Sequence, residues 1–253
     1  MNIKCIMYEQ LAADLGCTTD DIKSNKNIFV CSKKLSGART CNWHEISKLN
    51  LICINNKIVA RSDEPKIIHW LEESYNNFKG EWLSEYCSSR QLDEGLKQFD
   101  IRIGNFQPFF IPDEKKLQED YAALKGCELR WYNQQEILQF KGDKRFKEAI
   151  IFDEGAPDMI SVTAEKNGEI MAMAGANADS KTMWQMGISV MPDYKGRGIA
   201  TAMVALLKNK ILDMGILPYY GTAMSHVISQ NTAIKAGFIP AWVELCTMSA
   251  DQL

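Results

Sequence analysis

The chain has 253 residues, 46% of them hydrophobic and 24% charged, with 29 basic against 32 acidic side chains and a formal net charge of -3. Such a composition specifies a buried core and excludes wholesale disorder, and the length suits one large domain or two modest ones. With no basic half, no like-charge tail and no run of about 18 apolar residues, neither nucleic acid nor a membrane is an expected partner.

The opening stretch "MNIKCIMYEQLAADLG" is broken by Lys4, Glu9, Gln10 and Asp14, so it does not read as a signal peptide. The cysteines at 5, 17, 31, 41, 53, 87, 127 and 246 form no CxxC pair. Reduced thiols, mostly small core residues, in a cytoplasmic protein are the expectation. The pair Cys41 and His44 in "CNWH" stands at ligand spacing, but a structural metal needs four ligands and the only other histidines are His69 and His226. No metal is expected.

The first domain is placed at 1–112, an α/β unit of unknown role. "EQLAADLG" reads as a helix stopped by Gly16, with Thr18 or Thr19 capping the next turn. "NLICINNKIVARS" reads as a hairpin turning at Asn55 and Asn56, residues able to take positive φ. An amphipathic helix follows, with Ile67, Ile68, Leu71 and Tyr75 at helical spacing; "EWLSEYCSS" and "RQLDEGLKQF" read as two more helices. The aromatics Trp70, Tyr75, Phe78, Trp82 and Tyr86 are expected to pack in the core.

The polar stretch 112–120 marks the boundary, and a second domain is placed at 120–253. "CELRWY" alternates as a strand, "NQQEILQFKG" reads as a helix, and "RFKEAIIF" fits helix or strand. Three strand-like runs follow, "MISVTAEKNG", "EIMAMAGANAD" and "TMWQMGISVM", with Asn167-Gly168 and Asp179-Ser180 as turns. A Gly-rich loop comes next, then a helix from about 199 to 214, a strand "LPYYGTAM", a helix "SHVISQNTAIKAG" and a last strand "FIPAWVELCTM". This order describes an α+β fold, a mixed sheet with helices on its faces. In the first of those helices, Ile199, Met203, Leu206, Leu207, Ile211 and Met214 form the apolar stripe, and Gly215 is its C-cap.

The loop "KGRG" sits where that helix begins. Gly196 and Gly198 open the backbone to a ligand, Lys195 and Arg197 add positive charge, and the helix start offers unpartnered amides. The arrangement suits phosphate. A Walker loop needs Gly-Lys-Ser/Thr, which "GRGIAT" lacks. A dinucleotide fingerprint needs Gly or Ala at Thr201 and an acidic residue about 20 residues on; Asp213 comes too early, and the preceding strands are hairpin-joined. A bare strand-to-helix turn explains the glycines but not the paired basic residues.

The stretch "ISVMPDYKGRGIATAMV" resembles the acetyl-CoA loop of the GNAT superfamily of N-acetyltransferases, whose pattern is Arg or Gln, two residues, Gly, any residue, Gly or Ala. Lys195 takes the first position, Gly198 the Gly position and Ala200 the last. The element order from about 127 to 248 is similar to that fold too, including "AGF" at Ala236 to Phe238 before the final strand. The chain further resembles a bacterial subgroup with an N-terminal extension, which is open to being a degenerate copy of the fold; an acceptor wall, a dimer contact and a scaffold are its open roles.

The resemblance implies an acetyl-CoA-dependent N-acetyltransferase acting on a primary amine of a small molecule or peptide by direct attack on the thioester, with acetyl-CoA as cosubstrate. It implies that the amides of Lys195, Gly196, Arg197, Gly198, Ile199, Ala200 and Thr201 bind the pyrophosphate. Ile188, Ser189 and Val190 would pair with the pantetheine amides, on a strand that splays from the next one; Ser229 and Asn231 either reach CoA or face solvent. The family's helical Tyr position holds Ala233, its Asn position holds His226, and the strand Glu is absent from Trp184 to Gly187. The substitutes are Tyr220, one of two tyrosines alternating with Tyr219, together with His226 as cap, CoA contact or proton carrier, and Ser225 as N-cap. The missing Tyr and Glu keep a non-catalytic acyl-CoA-binding or regulatory module as the alternative. A homodimer is an open assembly.

Overall fold

The computed structural model describes residues 2–33, 37–40, 47–116 and 121–249. Contacts divide the chain into two compact units, one of Lys4–Phe109 with the residues from Ala241 onward, the other of Phe110–Pro240 with those up to Ile3. The sequence reading carried the second stretch to 253. Residues from Ala241 cluster with the N-terminal unit because Val243–Cys246 pair antiparallel with Cys53–Asn50.

The N-terminal unit contains α1 (Ile3–Leu15), α2 (Thr19–Lys23), β1 (Ile28–Cys31), β2 (Leu49–Ile54), β3 (Lys57–Ser62), α3 (Pro65–Tyr75) and α4 (Tyr86–Leu96). It also holds most of β4 (Ile101–Pro112), and the outer part of β10 (Phe238–Ser249) lies beside β2 in the strand order β1-β3-β2-β10. Gly16, at φ 65, ends α1, and Thr18 caps α2 in a reciprocal capping box with Asp21. Asn55 and Asn56 both take positive φ, 50 and 62, which makes the tight β2–β3 hairpin. Ile67, Ile68, Leu71 and Tyr75 are all buried along α3. Deeper in the unit, the fully buried Arg39 donates to Asp14 at 2.6 Å and to Glu244 at 2.5 Å, so the charge enters the core with its partners.

Three expectations for this half fail wholly or in part. One helix, α4, replaces the two read around 81–99, with 3-10 turns at 80–82 and 97–99, because no Gly or Pro interrupts Ser88 to Gln91. The turn at 80–82 breaks the helical phase of the aromatics, so Trp82 is 55% and Tyr86 74% exposed rather than packed. None of the seven described cysteines is fully buried: Cys53 and Cys127 pack against the core from partly buried positions, while Cys31 and Cys87 are exposed, so the core assignment holds only in part. The "CNWH" segment lies outside the described residues.

The second unit contains β5 (Glu128–Asn133), α5 (Gln134–Ile137), β6 (Asp158–Lys166), β7 (Glu169–Asn177), β8 (Met183–Val190), α6 (Ile199–Asp213), β9 (Leu217–Gly221) and α7 (Val227–Lys235). Its strands run in the order β9-β8-β7-β6-β5, antiparallel except for the parallel β8–β9 pair. Asn167 and Gly168, at φ 53 and 80, make the β6–β7 hairpin. Two apolar layers flank this sheet. Ala172, Ala174, Ala176 and Met186 face α6, where small side chains let the helix approach closely, while Met173 packs with Tyr132, Phe146, Ala149 and Ile150 on the other side. The structure is thus the expected mixed sheet with helices on its faces.

"RFKEAIIF" is neither helix nor strand. A 3-10 turn at 144–146 leads into irregular backbone that is held by the Asp158 carboxylate, which accepts from the Ile151 and Phe152 amides. On α6 the expected stripe is buried at Ile199, Met203, Leu207 and Ile211, but Met214 is 46% exposed because it is the C-cap, ahead of Gly215 at φ 79. Among the described residues no helix is long and apolar enough to cross a membrane.

The same helix carries a fully buried lysine. Lys208 Nζ donates to the Ala236 carbonyl at 2.8 Å and to the Lys116 carbonyl at 3.3 Å, and lies 5.7 Å from the Phe238 ring centroid. It thereby ties α6 to the C-cap of α7. Lys208→Met keeps the stem but strands those carbonyls, at about 1–3 kcal/mol each. At about 2–4 °C per kcal/mol for a chain of this length, the melting temperature is expected to fall by at least about 4 °C; a calorimetric scan superimposable on wild type would refute the clamp.

Candidate functional site

Chain direction and helix packing build the site at the β8–α6 junction. Pro192 opens a 3-10 turn over 192–194, and Gly196 and Gly198 then take φ 76 and 78, the left-handed region that glycine enters without strain. A Cβ on Gly196 would meet nothing within 4 Å, and one on Gly198 would stand 3.5 Å from the Ala123 Cβ. Backbone conformation therefore demands these glycines more than crowding does. Gly198 is the N-cap of α6 and no side chain caps the helix. Its first carbonyl is taken by the Ala202 amide at 3.1 Å, so the amides of Ile199, Ala200 and Thr201 have no partner a turn earlier along the helix. Ile199, 3% exposed, anchors the helix start on the sheet. Lys195 and Arg197 are exposed, with the Arg197 guanidinium 5.5 Å from the Tyr194 ring centroid. Amides without a partner a turn earlier, the positive end of a helix dipole and two exposed cations thus belong to one short turn, an arrangement suited to an anion.

The strand leading into this turn is half-paired. β8 runs beside β7 as far as Val190, but beside β9 it pairs only from Met183 to Met186, opposite Leu217 to Tyr220. Among the described residues, Gly187 to Val190 pair with β7 alone, leaving one edge open. The unpaired edge lies where the splay was expected, and Ile188, Ser189 and Val190 lie along it. The Ser189 hydroxyl is buried without a hydrogen-bond partner, as are those of Ser32 and Ser161 elsewhere among the described residues.

Tyr220 stands at the last β8–β9 pair, where the strands part. Alternation separates it from its neighbour. Tyr219, fully buried, donates to Asp179 and reaches Gln185 at 3.3 Å. Tyr220 turns to the α6 side, packs 6.2 Å from the Phe238 ring, and shares a 2.9 Å hydrogen bond with the Ser229 hydroxyl of α7. Burial pushes the Tyr220 phenol above its usual value; the Ser229 bond draws it down and the charge of Glu148 adds to the rise.

The other expected groups are less closely joined. His226 is the N-cap of α7 by position, but its side chain makes no capping bond. Ser225 precedes it in the turn, and both are exposed, as is Asn231. Among the described residues, no hydrogen bond connects the side chains of Ser225 or His226 to Tyr220. Ser229 is brought to Tyr220.

Sequence reasoning missed a segment that crosses the sheet at the same point. Gly187 follows the last β8–β9 pair, and a Cβ there would lie 2.0 Å from the Glu148 carbonyl oxygen. Its β7 partner Gly175 is equally tight, 2.2 Å from the Ala149 carbonyl oxygen. Two glycines facing each other inside apolar strands were the available signal, since glycine within a strand marks close backbone approach.

Residues 120–238 match the model of the acetyltransferase (GNAT) family. That span holds β5 to β9, α6, α7 and the whole glycine loop. No curated protein matches the sequence. Similar solved structures include a GCN5-related N-acetyltransferase-like protein from Streptococcus suis, at 14% identity over 83% of this chain and 88% of that one, with a TM-score of 0.44. A Drosophila protein is 13% identical over 85% of this chain and 78% of that one, with a TM-score of 0.47. The aminoglycoside N-acetyltransferase AAC(6')-Iy in complex with CoA is 22% identical over 44% of this chain and 91% of that one, with a TM-score of 0.33.

Proposed function

With residues 120–238 forming a GNAT-family domain, whose chemistry is acyl transfer, we propose that the protein transfers an acetyl group from acetyl-CoA to the primary amine of a small molecule or peptide. The observation that carries this reading is the continuity of an open β8 edge with a turn suited to an anion at the start of α6. A pyrophosphate joined to an extended amide-bearing arm fits that pair of features; a simple phosphate would use only one.

In this reading the amides from Lys195 to Thr201 take the pyrophosphate, with Lys195 and Arg197 screening its charge. Ile188, Ser189 and Val190 take the arm as an added strand, and a backbone amide among them polarises the thioester oxygen. Bound acetyl-CoA supplies an activated carbonyl and a thiolate leaving group. Tyr220 is the proton donor for that thiolate. Its hydroxyl reaches Ser229, which is one helical turn before Ala233 on the same face of α7. Ala233 fills the family's tyrosine position, so a strand tyrosine brings a phenol to the face from which a helical one is missing. Ser229 orients the phenol. His226, Ser225 and Asn231 line the exposed mouth.

The test is incubation of the full chain with acetyl-CoA and a panel of primary amines, with thiol release followed over time. Amine-dependent release is the expected result. CoA binding without any amine-dependent release would favour the non-catalytic module instead.

A further inference from the structure

Glu148 belongs to no helix or strand, yet its backbone is firmly placed. The Ala149 and Ile150 amides both donate to the Phe146 carbonyl, at 2.8 and 3.0 Å, and Phe146, Ala149 and Ile150 are buried. On the far side, Ile151 and Phe152 donate to the Asp158 carboxylate at 3.1 and 2.8 Å. Between these anchors, residues 148 and 149 lie directly on Gly187 and Gly175, where no other residue would leave room. The Glu148 side chain remains 69% exposed. An apolar segment has thus been pressed onto the sheet with one carboxylate left in solvent.

The location of that carboxylate gives it a use. Gly187 is the first β8 residue beyond the β9 pairing, and Tyr220 is the β9 residue of the last pair. Tyr220 points to the α6 side, and the 148–150 segment covers the opposite side with Met173. The point where β8 and β9 part therefore has a phenol on one face and a carboxylate-bearing segment on the other. Lys147 Nζ stands 3.5 Å from the carboxylate, but both side chains are well exposed, so this pairing is weak and leaves the carboxylate available.

We infer that Glu148 is the acceptor-side residue of this site, drawing a cationic primary amine to the opening between β8 and β9 and taking the proton that the amine must lose before it attacks. This rests on the acetyl-transfer reading above. An alkylammonium ion has no lone pair. Its proton passes to the Glu148 carboxylate, directly or through water, and from there to solvent. The freed amine forms the N–C bond to the thioester carbonyl carbon as the C–S bond breaks. The departing electron pair stays on sulfur, which takes a proton from Tyr220. The second nitrogen proton restores the phenol through solvent, so one proton is released per amide formed.

Two measurements on the full chain test the assignment. In Glu148→Gln, kcat/KM for an alkylamine at pH 7 is expected to fall about 100-fold, with CoA affinity unchanged. The deficit should shrink as pH rises and the amine loses its proton unaided. A loss below threefold, or one of constant size at every pH, would overturn the role. Independently of turnover, NMR of protein carrying ring-labelled tyrosine should show the Tyr220 titration moving to lower pH in Glu148→Gln, with Tyr220→Phe identifying the signal. An unmoved titration means that the carboxylate lies too far from the phenol to act at the same opening, and the inference fails. If wild type acetylates no amine, it is the acetyl-transfer reading that falls, and the tyrosine titration still decides the placement.

Discussion

Gly198→Val is expected to weaken CoA binding by at least about 100-fold while the domain stays folded. At φ 78, Gly198 occupies backbone space that a β-branched residue enters only under strain. A Cβ would meet only the Ala123 methyl, at an ordinary contact distance of 3.5 Å, so crowding is not the cause. Valine would instead move the backbone out of the left-handed region and swing the first α6 amides away from the phosphate. Losing two charge-assisted hydrogen bonds at about 1.5–3 kcal/mol each removes about 3 kcal/mol or more, which is roughly two powers of ten in Kd. Alanine tolerates this conformation at about 1–2 kcal/mol, so Gly198→Ala should fall between wild type and valine. Calorimetric titration with CoA measures all three, and circular dichroism checks the fold. A valine variant with an affinity within threefold of wild type would remove the loop from the site.

Tyr220→Phe should lower kcat by about 100-fold, the lower end of what a positioned proton donor contributes, with little change in CoA affinity. The ring is buried against Phe238 and remains in the variant; only the hydroxyl and its bond to Ser229 are lost. The sign of the pH dependence follows from the environment. Burial raises the phenol's pKa, the Ser229 bond opposes that rise and Glu148 adds to it. The net shift is upward, so the acid form persists through neutral and mildly alkaline pH. Wild-type kcat should therefore hold until above the ordinary phenol value of about 10, and the phenylalanine variant should lack that falling limb. Steady-state rates over a pH series in parallel decide it. Equal kcat in the two proteins would exclude Tyr220 as the donor.

Where local chemistry settles the backbone, the sequence was readable. Asn55-Asn56 and Asn167-Gly168 had to turn because few other residues tolerate positive φ, and all four adopt it. The Gly196 and Gly198 turn, the apolar face of α6 and the order of strands around it follow from the same kind of constraint. Strand alternation separated Tyr219 from Tyr220, but only the positions of Asp179 and Ser229 reveal which hydroxyl is tied to which partner. What stayed hidden depends on distant parts of the chain. Ala149 and Ile150 are apolar because they press on Gly175 and Gly187, so the run around them has neither a helical nor a strand period. The exposure of Trp82 and Tyr86 reflects a short 3-10 turn that shifted the helical phase. The outer part of β10 joins the N-terminal unit through its pairing with β2, a register that no local pattern specifies.

The half-paired edge of β8 has a thermodynamic side. A strand bonded to one neighbour from Gln185 to Val190 and to the other only from Met183 to Met186 leaves the sheet unfinished by the polypeptide itself. Exposed strand edges are ordinarily liabilities that invite unwanted pairing. Here the gap is short and ends in the glycine turn, so an incoming chain segment would soon run into the start of α6. A small extended molecule that carries its own amides would complete the hydrogen bonding. Such a molecule would act as a removable strand, and filling the gap would raise the folded state's resistance to unfolding in step with its concentration.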